Sequence, residues 1–245
     1  RGLVGSEMCI RDSVNINRLL ELTKPVATAV VPISAGRHIY KREPSFPIAV
    51  ACDPAFNFVY EANIRYLHHL GEVTYFSPLA DTSLPDAGFV YLPGGYPELY
   101  LAALSANRQM LQSIRRYVES GGKLLAECGG MMYLCDEIRD KNGYVYPMAG
   151  VLHQSATMEN MKLRLGYRTL LYNETRLKGH EFHYSRLVEQ QNPLPSCAVA
   201  YTAKGVETDT PLYHYKNVWA GYTHLYWADP VGNEWFTKFV IDGNI

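Results

Sequence analysis

Between residues 47 and 127 the apolar positions come in short continuous runs, separated by stretches with helical spacing. Ile48-Ala-Val-Ala-Cys52 is wholly apolar and breaks at Asp53-Pro54, which predicts a strand and then a turn. Residues 61–70 carry Ile64, Leu67 and Leu70 at helical spacing and stop at Gly71, a helix closed by a glycine C-cap. Residues 72–76, 88–92 and 123–127 read as three further strands. Residues 97–104 and 107–119 read as helices, the second ended by Gly121-Gly122. Strands that alternate with helices, each apolar on both faces, predict an α/β fold with a parallel sheet and helices on both sides. Ligands of such sheets bind beyond the carboxyl ends of the strands, where residues 53–58, 93–98 and 128–130 fall. Later in the chain tyrosine is more frequent, and residues 145–151, 165–172 and 218–226 read as extended.

The start of the chain breaks this pattern. Residues 1–13 have no useful periodicity and do not resemble a signal peptide, so we read them as a non-native addition and leave them out of the fold. On that reading the true start is missing and the native chain is longer. Residues 15–22 fit one short helix bearing Ile16, Leu19, Leu20 and Leu22. Residues 24–47 hold four prolines and the basic cluster Arg37, His38, Lys41 and Arg42, which suits a linker. The expected organisation is therefore 1–13, then a tail and linker over 14–46, then one domain over 47–245.

Composition narrows the class. A chain of 245 residues, 47% hydrophobic and 19% charged, has ample core for one large α/β domain or two small ones. The net charge of −1 gives no basic footprint for nucleic acid or an anionic membrane. The longest apolar run, around residues 25–33, is broken by prolines and falls short of the ~20 residues a membrane span needs. Five cysteines, an odd count with no CxxC pair, point to a reducing, cytoplasmic compartment.

Cys128 carries the most chemistry. Residues 123–134 read as a buried strand, a sharp corner and a helix, with Ala126 and Gly130 as small flanks. That is the pattern of a nucleophile elbow, in which a strained turn lifts one side chain above the sheet edge. A thiol at a helix N-terminus is expected to favour the thiolate, and the Gly129 N–H to face an oxyanion. The bland alternative is a small buried hydrophobe. A cysteine nucleophile needs a base, usually histidine. Of eight histidines, His68 and His69 sit on a helix, His38 lies in the linker, and His153 and His214 stand beside turns without a supporting pattern. That leaves His180, His183 and His224; His224, at the polar end of an apolar run just before Asp229-Pro230, is favoured over His183. Either is also readable as a buried histidine bonded to a carbonyl.

A zinc site from His180, Glu181, His183 and a cysteine is disfavoured, because the HExxH spacing is absent, and no metal is expected. Pro93-Gly94-Gly95-Tyr96-Pro97-Glu98 follows a strand and opens a helix. Its two glycines let a ligand approach the backbone, though a plain tight turn reads the same way. No GxxxxGK[ST] phosphate loop occurs.

Six blocks together resemble one family. They are Asp53-Pro-Ala-Phe-Asn-Phe58, Phe76-Ser-Pro-Leu-Ala-Asp81, Gly94-Gly-Tyr-Pro-Glu98, Ala126-Glu-Cys-Gly-Gly-Met-Met-Tyr-Leu134, Gly179-His-Glu-Phe-His-Tyr-Ser185 and Tyr222-Thr-His-Leu225. In this order they are similar to the class I glutamine amidotransferase domain of cobyrinic acid a,c-diamide synthase, of the cobalamin pathway. The resemblance implies a three-layer, flavodoxin-like parallel sheet. It implies that Cys128 attacks the side-chain amide of L-glutamine to give a glutamyl thioester and ammonia, with His224 at the family's base position. Amides near Gly94, Gly95 and Gly129 would hold the oxyanion, one such donor being typically worth ~3–4 kcal/mol. Tyr184 and Ser185 match the stretch that helps seat glutamine.

The resemblance further implies that ammonia passes to an ATP- and Mg2+-dependent synthetase domain that activates two acetate carboxylates of cobyrinate. The P-loop-like sequence of that domain should precede this segment and is not in this chain; residues 14–46 look like its tail. The chain itself would bind no cofactor and supply at most glutamine hydrolysis, with a homodimer as the assembly to look for. Many relatives carry an acid two residues after the histidine, where Tyr226 stands here. The site is thus expected to run as a Cys–His dyad, or borrow another partner, and to be a weak glutaminase alone. Nickel-sirohydrochlorin or hydrogenobyrinate a,c-diamide synthase would use the same residues. A catalytically idle binding module and a Cys–His peptidase are the readings from other classes.

Overall fold

The computed structural model describes residues 46–242, so the expectations for residues 1–13, for the short helix at 15–22 and for most of the linker lie outside the described residues. Strands β1 (Pro47–Ala51), β2 (Glu72–Phe76), β3 (Phe89–Leu92) and β4 (Lys123–Glu127) alternate with helices α1 (Glu61–Leu70), α2 (Leu101–Ala106) and α3 (Arg108–Glu119). A 3-10 turn at Pro97–Leu99 precedes α2, and α4 (Gly129–Leu134) follows β4 after one residue. Eleven short or medium strands come next: β5 (Glu137–Arg139), β6 (Val145–Pro147), β7 (Ser155–Thr157), β8 (Arg164–Tyr172), β9 (Thr175–His183), β10 (Arg186–Leu187), β11 (Val199–Thr202), β12 (Glu207–Thr208), β13 (Leu212–Tyr215), β14 (Val218–Gly221) and β15 (His224–Leu225). The last α-helix among the described residues is α5 (Pro230–Thr237), capped by the Asp229 carboxylate on Gly232 N–H at 2.7 Å and followed by a π-helical turn at Lys238–Asp242.

The central sheet has the order β13-β14-β4-β3-β1-β2. Every neighbouring pair is parallel except β13–β14 at one edge. Alternation along each strand sorts the core into two layers. Ala49, Ala51, Val90, Leu92, Leu124 and Ala126 pack on one side with α2, α3 and α4. Ile48, Val50, Phe89, Tyr91, Leu125 and Trp219 pack on the other with α1 and α5. The three-layer α/β expectation is met.

One local expectation is not. Strand β2 is an edge strand with Glu72, Thr74 and Tyr75 exposed, so it is not apolar on both faces. Gly71 ends α1 as expected, its N–H donating to Leu67 O, with an extended backbone at φ −174° and ψ −167°. Glycine is needed there because a Cβ would stand 1.9 Å from Phe46 O.

Two further sheets flank the first: β10-β7-β5-β6 and β12-β11-β8-β9-β15. The β8–β9 hairpin turns through Asn173 and Glu174, both with positive φ. One crossing positions the site. The chain leaves β14 in the central sheet and two residues later joins β9 as β15, so His224 pairs opposite His180. No helix among the described residues is long and apolar enough to cross a membrane.

Candidate active site

Cys128 occupies the corner between β4 and α4 with φ 48° and ψ −105°, an unfavourable region for a non-glycine residue, of the kind that costs about 1–3 kcal/mol. Surrounding contacts hold it there. Its N–H donates to Gly221 O at 2.7 Å, and its carbonyl accepts from Met132 N at 3.0 Å. The small flanks are demanded by space: a Cβ on Gly130 would lie 2.1 Å from Leu92 O. One on Gly129 would lie 2.8 Å from Pro97 Cδ and 3.2 Å from Gly95 N, so the Gly95 and Gly129 backbones run side by side. Gly95 has φ 155° and a Cβ there would meet Ala55 O at 2.1 Å, which excludes any larger residue.

The thiol is 5% exposed. Its Sγ lies 3.8 Å from Phe182 O. Burial pushes the thiol up to about 12, the negative charge of Glu98 reinforces this, and the hydrogen bond from Gly129 opposes it. This direction runs against the expected thiolate. A six-residue helix does not compensate for the lost solvation of a buried sulfur among Glu98, Glu127 and Glu181.

His224 is brought to the same rim by β15. A Cβ on Gly94 would lie 2.1 Å from His224 Cε1, so the imidazole rests on the glycine pair that also adjoins Gly129. Phe58 meets the ring edge-on at 4.5 Å, and His180 stacks on it at 5.0 Å with 21° between planes. Burial, then the like charges of His180 and His183, push His224 down to about 3. It is a neutral imidazole across the ordinary pH range. Its Nδ1 is buried with no hydrogen-bond partner among the described residues. Tyr226, at the position where an acid was looked for, sets its ring against Tyr60 at 5.6 Å. Packing, not a carboxylate, orients the imidazole.

The other histidine weighed as base stands elsewhere. His183 has its Nδ1 2.9 Å from Ser185 O, its ring stacks on Tyr222 at 3.8 Å, and its Nε2 is 3.6 Å from Glu181 Oε1. Burial works against the Glu181 charge, but His183, Thr210 and the contacting Arg168 guanidinium outweigh it and leave its pKa below the usual range. Ser185 is buried, its hydroxyl within hydrogen-bond distance of Tyr222 OH at 3.1 Å and of Met132 Sδ at 3.2 Å. Tyr184 is 39% exposed and edges onto Phe182. A cavity of about 550 Å3 opens beside this cluster, lined by Glu181, His183, Tyr222, Arg164 and Arg186 among others. Neither Cys128 nor His224 lines it. Among the described residues no group of three or more His, Cys, Asp or Glu is disposed to hold a metal ion.

Several residues of the site were given no role in it by the sequence reading. Phe58 and Tyr60 come from the loop after β1, and His180 from β9; Tyr60 OH bonds His180 Nδ1 across 120 positions of sequence. Glu127, buried at 1% exposure, accepts from Tyr91 OH at 2.7 Å and from Leu225 N at 3.0 Å. Burial raises its pKa to about 8 against those two hydrogen bonds. Its cues were a carboxyl in the last position of an apolar strand and its place in the block 126–134.

The model of the CobB/CobQ-like glutamine amidotransferase domain matches residues 47–231. A hydrogenobyrinate a,c-diamide synthase of Pseudomonas aeruginosa is 37% identical over 221 residues, covering 88% of this chain and 48% of that protein. A cobyrinate a,c-diamide synthase of Fusobacterium nucleatum is 40% identical over 188 residues, covering 73% of this chain and 41% of that one. The chain spans about half the length of these curated relatives or somewhat less. Among solved structures, a glutamine amidotransferase aligns with TM-score 0.52 at 17% identity over 79% of this chain and 98% of its own. PurLQS of Thermotoga maritima aligns with TM-score 0.52 at 16% identity over 81% and 96%. These two likenesses support the fold, and the domain match over most of the chain shows that it belongs to the CobB/CobQ-like glutamine amidotransferase family.

Proposed function

We propose that the chain is the glutaminase part of an ATP-dependent corrin a,c-diamide synthase, acting through a thioester on Cys128. The observation that carries this reading is the strained Cys128 corner, set against the Gly94-Gly95 pair on which His224 rests. Cys128 starts as a neutral thiol and His224 as a neutral imidazole, and the gap between about 12 and about 3 opposes a preformed ion pair. The proton therefore moves from sulfur to the imidazole as the sulfur–carbon bond forms on the glutamine amide. The oxygen of the tetrahedral adduct lies toward the Gly95 and Gly129 amides. The imidazolium returns its proton to the departing nitrogen, the carbon–nitrogen bond breaks, and ammonia leaves. Water, deprotonated by His224, then cleaves the thioester to glutamate and regenerates the thiol.

Within the whole protein, ATP and Mg2+ would serve the activation of the corrin carboxylates, in the portion of the relatives that this chain does not cover. The relatives bear both cobyrinate and hydrogenobyrinate names, so the substrate we assign is the corrin a- and c-acetate pair, with or without cobalt. The test is ammonia release from glutamine by the 245-residue chain. Cys128→Ala is expected to lower it by roughly a thousandfold or more; an unchanged rate would refute the nucleophile.

The idle-module reading draws on one observation, the burial that holds the thiol protonated. It requires glutamine to bind without turnover.

A further inference from the structure

We propose that Glu127 is a positioning residue for glutamine hydrolysis: its carboxyl group ties the residue before the sulfur to the residue after the imidazole. This inference rests on the glutaminase reading and gives a role to a residue that the elbow pattern and the family resemblance left without one.

The geometry starts from strand alternation. Glu127 is the last residue of β4, two positions after Leu125, so its side chain falls on the layer that holds Tyr91 and Trp227 rather than on the layer of Ala126. There it is 1% exposed and bonded at both oxygens. Oε2 accepts from Tyr91 OH, at the neighbouring strand β3, and Oε1 accepts from Leu225 N–H. Leu225 follows His224, and Cys128 follows Glu127. One side chain thus spans the gap between the strand that carries the nucleophile and the strand that carries the base.

A second clamp holds the base segment from the other side. Asn63, fully buried on α1, donates to Leu225 O at 2.8 Å and accepts from Trp227 N at 2.9 Å. Tyr226 N donates to Lys178 O on β9. Between His224 and Trp227 the backbone is therefore fixed at four polar groups. The imidazole by contrast makes no hydrogen bond at Nδ1 among the described residues, and its neighbours Phe58, His180 and Gly94 are packing contacts. Where no carboxylate grips the ring, its position at the rim is inherited from its backbone, and Glu127 is a side-chain link from that backbone to the nucleophile strand.

A mere structural brace would also explain a buried doubly bonded carboxyl, so the test separates the two. Steady-state glutamine hydrolysis is measured for the 245-residue chain and for Glu127→Gln, Glu127→Asp and Glu127→Leu, with thermal unfolding alongside. Gln keeps an acceptor for Leu225 N–H; Asp keeps the acid but draws it back by one methylene. We expect Gln to retain kcat within roughly fivefold. We expect Asp to lose about a hundredfold in kcat with KM unchanged, the size of effect a misplacement of about 1 Å produces. Leu should be at least as impaired, and if it fails to fold the Asp and Gln pair still decides. Folded Asp and Leu variants with parental kcat would overturn the positioning role and leave the glutaminase reading standing. A parent chain that binds glutamine but never releases ammonia would overturn both.

Discussion

His180 lies face to face with His224, the ring centroids 5.0 Å apart and the planes 21° from parallel. The two residues are directly opposed on β9 and β15, so strand register alone enforces the stack. Burial is the main cause of the low His224 pKa and the like charge of His180 the second. Replacing His180 by Phe keeps an aromatic plane and removes that charge. The sign follows: without a neighbouring cation the imidazolium is less disfavoured, and the His224 pKa moves up. We expect the acid limb of kcat/KM for glutamine to shift to higher pH in the Phe variant. A limb that stays put or moves down would separate the stack from the titration.

The thiol gives an equally direct test. Burial and Glu98 push Cys128 up to about 12, whereas the ordinary value is 9.0. In the ligand-free chain its alkylation by iodoacetamide should keep rising through pH 10 with no plateau, while a denatured chain levels off near 9. Rates that flatten below pH 8 would restore the thiolate expected from the helix N-terminus.

Glu127 links acidity to stability. Its carboxyl is raised from 4.5 to about 8, chiefly by burial. A group raised in this way stabilises the fold fully below its unfolded pKa, and that contribution is lost as pH climbs through the folded one. Between pH 4.5 and 8 the parent chain should therefore lose stability that Glu127→Gln does not lose. Urea midpoints at pH 5 and 8.5 check this: the gap between parent and Gln variant should change in favour of Gln at the higher pH. A constant gap would mean that the buried carboxyl does not titrate in this range.

Two glycines separate function from folding. A methyl on Gly94 points at the His224 ring, 2.1 Å from Cε1, and the ring is boxed in by Phe58 and His180. Gly94→Ala should cost about a hundredfold in kcat, by displacement of the base, with a small effect on unfolding. A methyl on Gly130 points at a backbone carbonyl, Leu92 O at 2.1 Å, which cannot step aside. Gly130→Ala should cost about 1–3 kcal/mol or more of stability, read from chemical denaturation. Equal effects of the two on stability would contradict this assignment.

How much was visible in advance follows from the range of each interaction. Strands β1, β3 and β4 are buried on both faces and announce themselves as continuous apolar runs. The Cys128 corner was legible because its small flanks are adjacent in sequence, and the structure shows the carbonyls they avoid. Edge position is not written into a five-residue strand, so the exposure of β2 was missed. Gly71 was read correctly as the helix cap, but the steric need for glycine there was not legible, because the crowding atom belongs to Phe46, twenty-five positions away. The raised thiol pKa was missed because helix-end logic counts nearby dipoles and not the depth of the sulfur. The box of Phe58 and His180 around His224, with Tyr60 bonded to His180 behind it, joins segments more than a hundred positions apart, and no local periodicity marks it.

The most direct measurement is covalent trapping with 6-diazo-5-oxo-L-norleucine, a glutamine analogue that alkylates an attacking nucleophile, followed by peptide mass spectrometry. We expect one adduct, on Cys128, suppressed by excess glutamine and absent from Cys128→Ala. Labelling of the exposed Cys52 instead, or a Cys128 adduct indifferent to glutamine, would contradict the proposal that this sulfur attacks the amide.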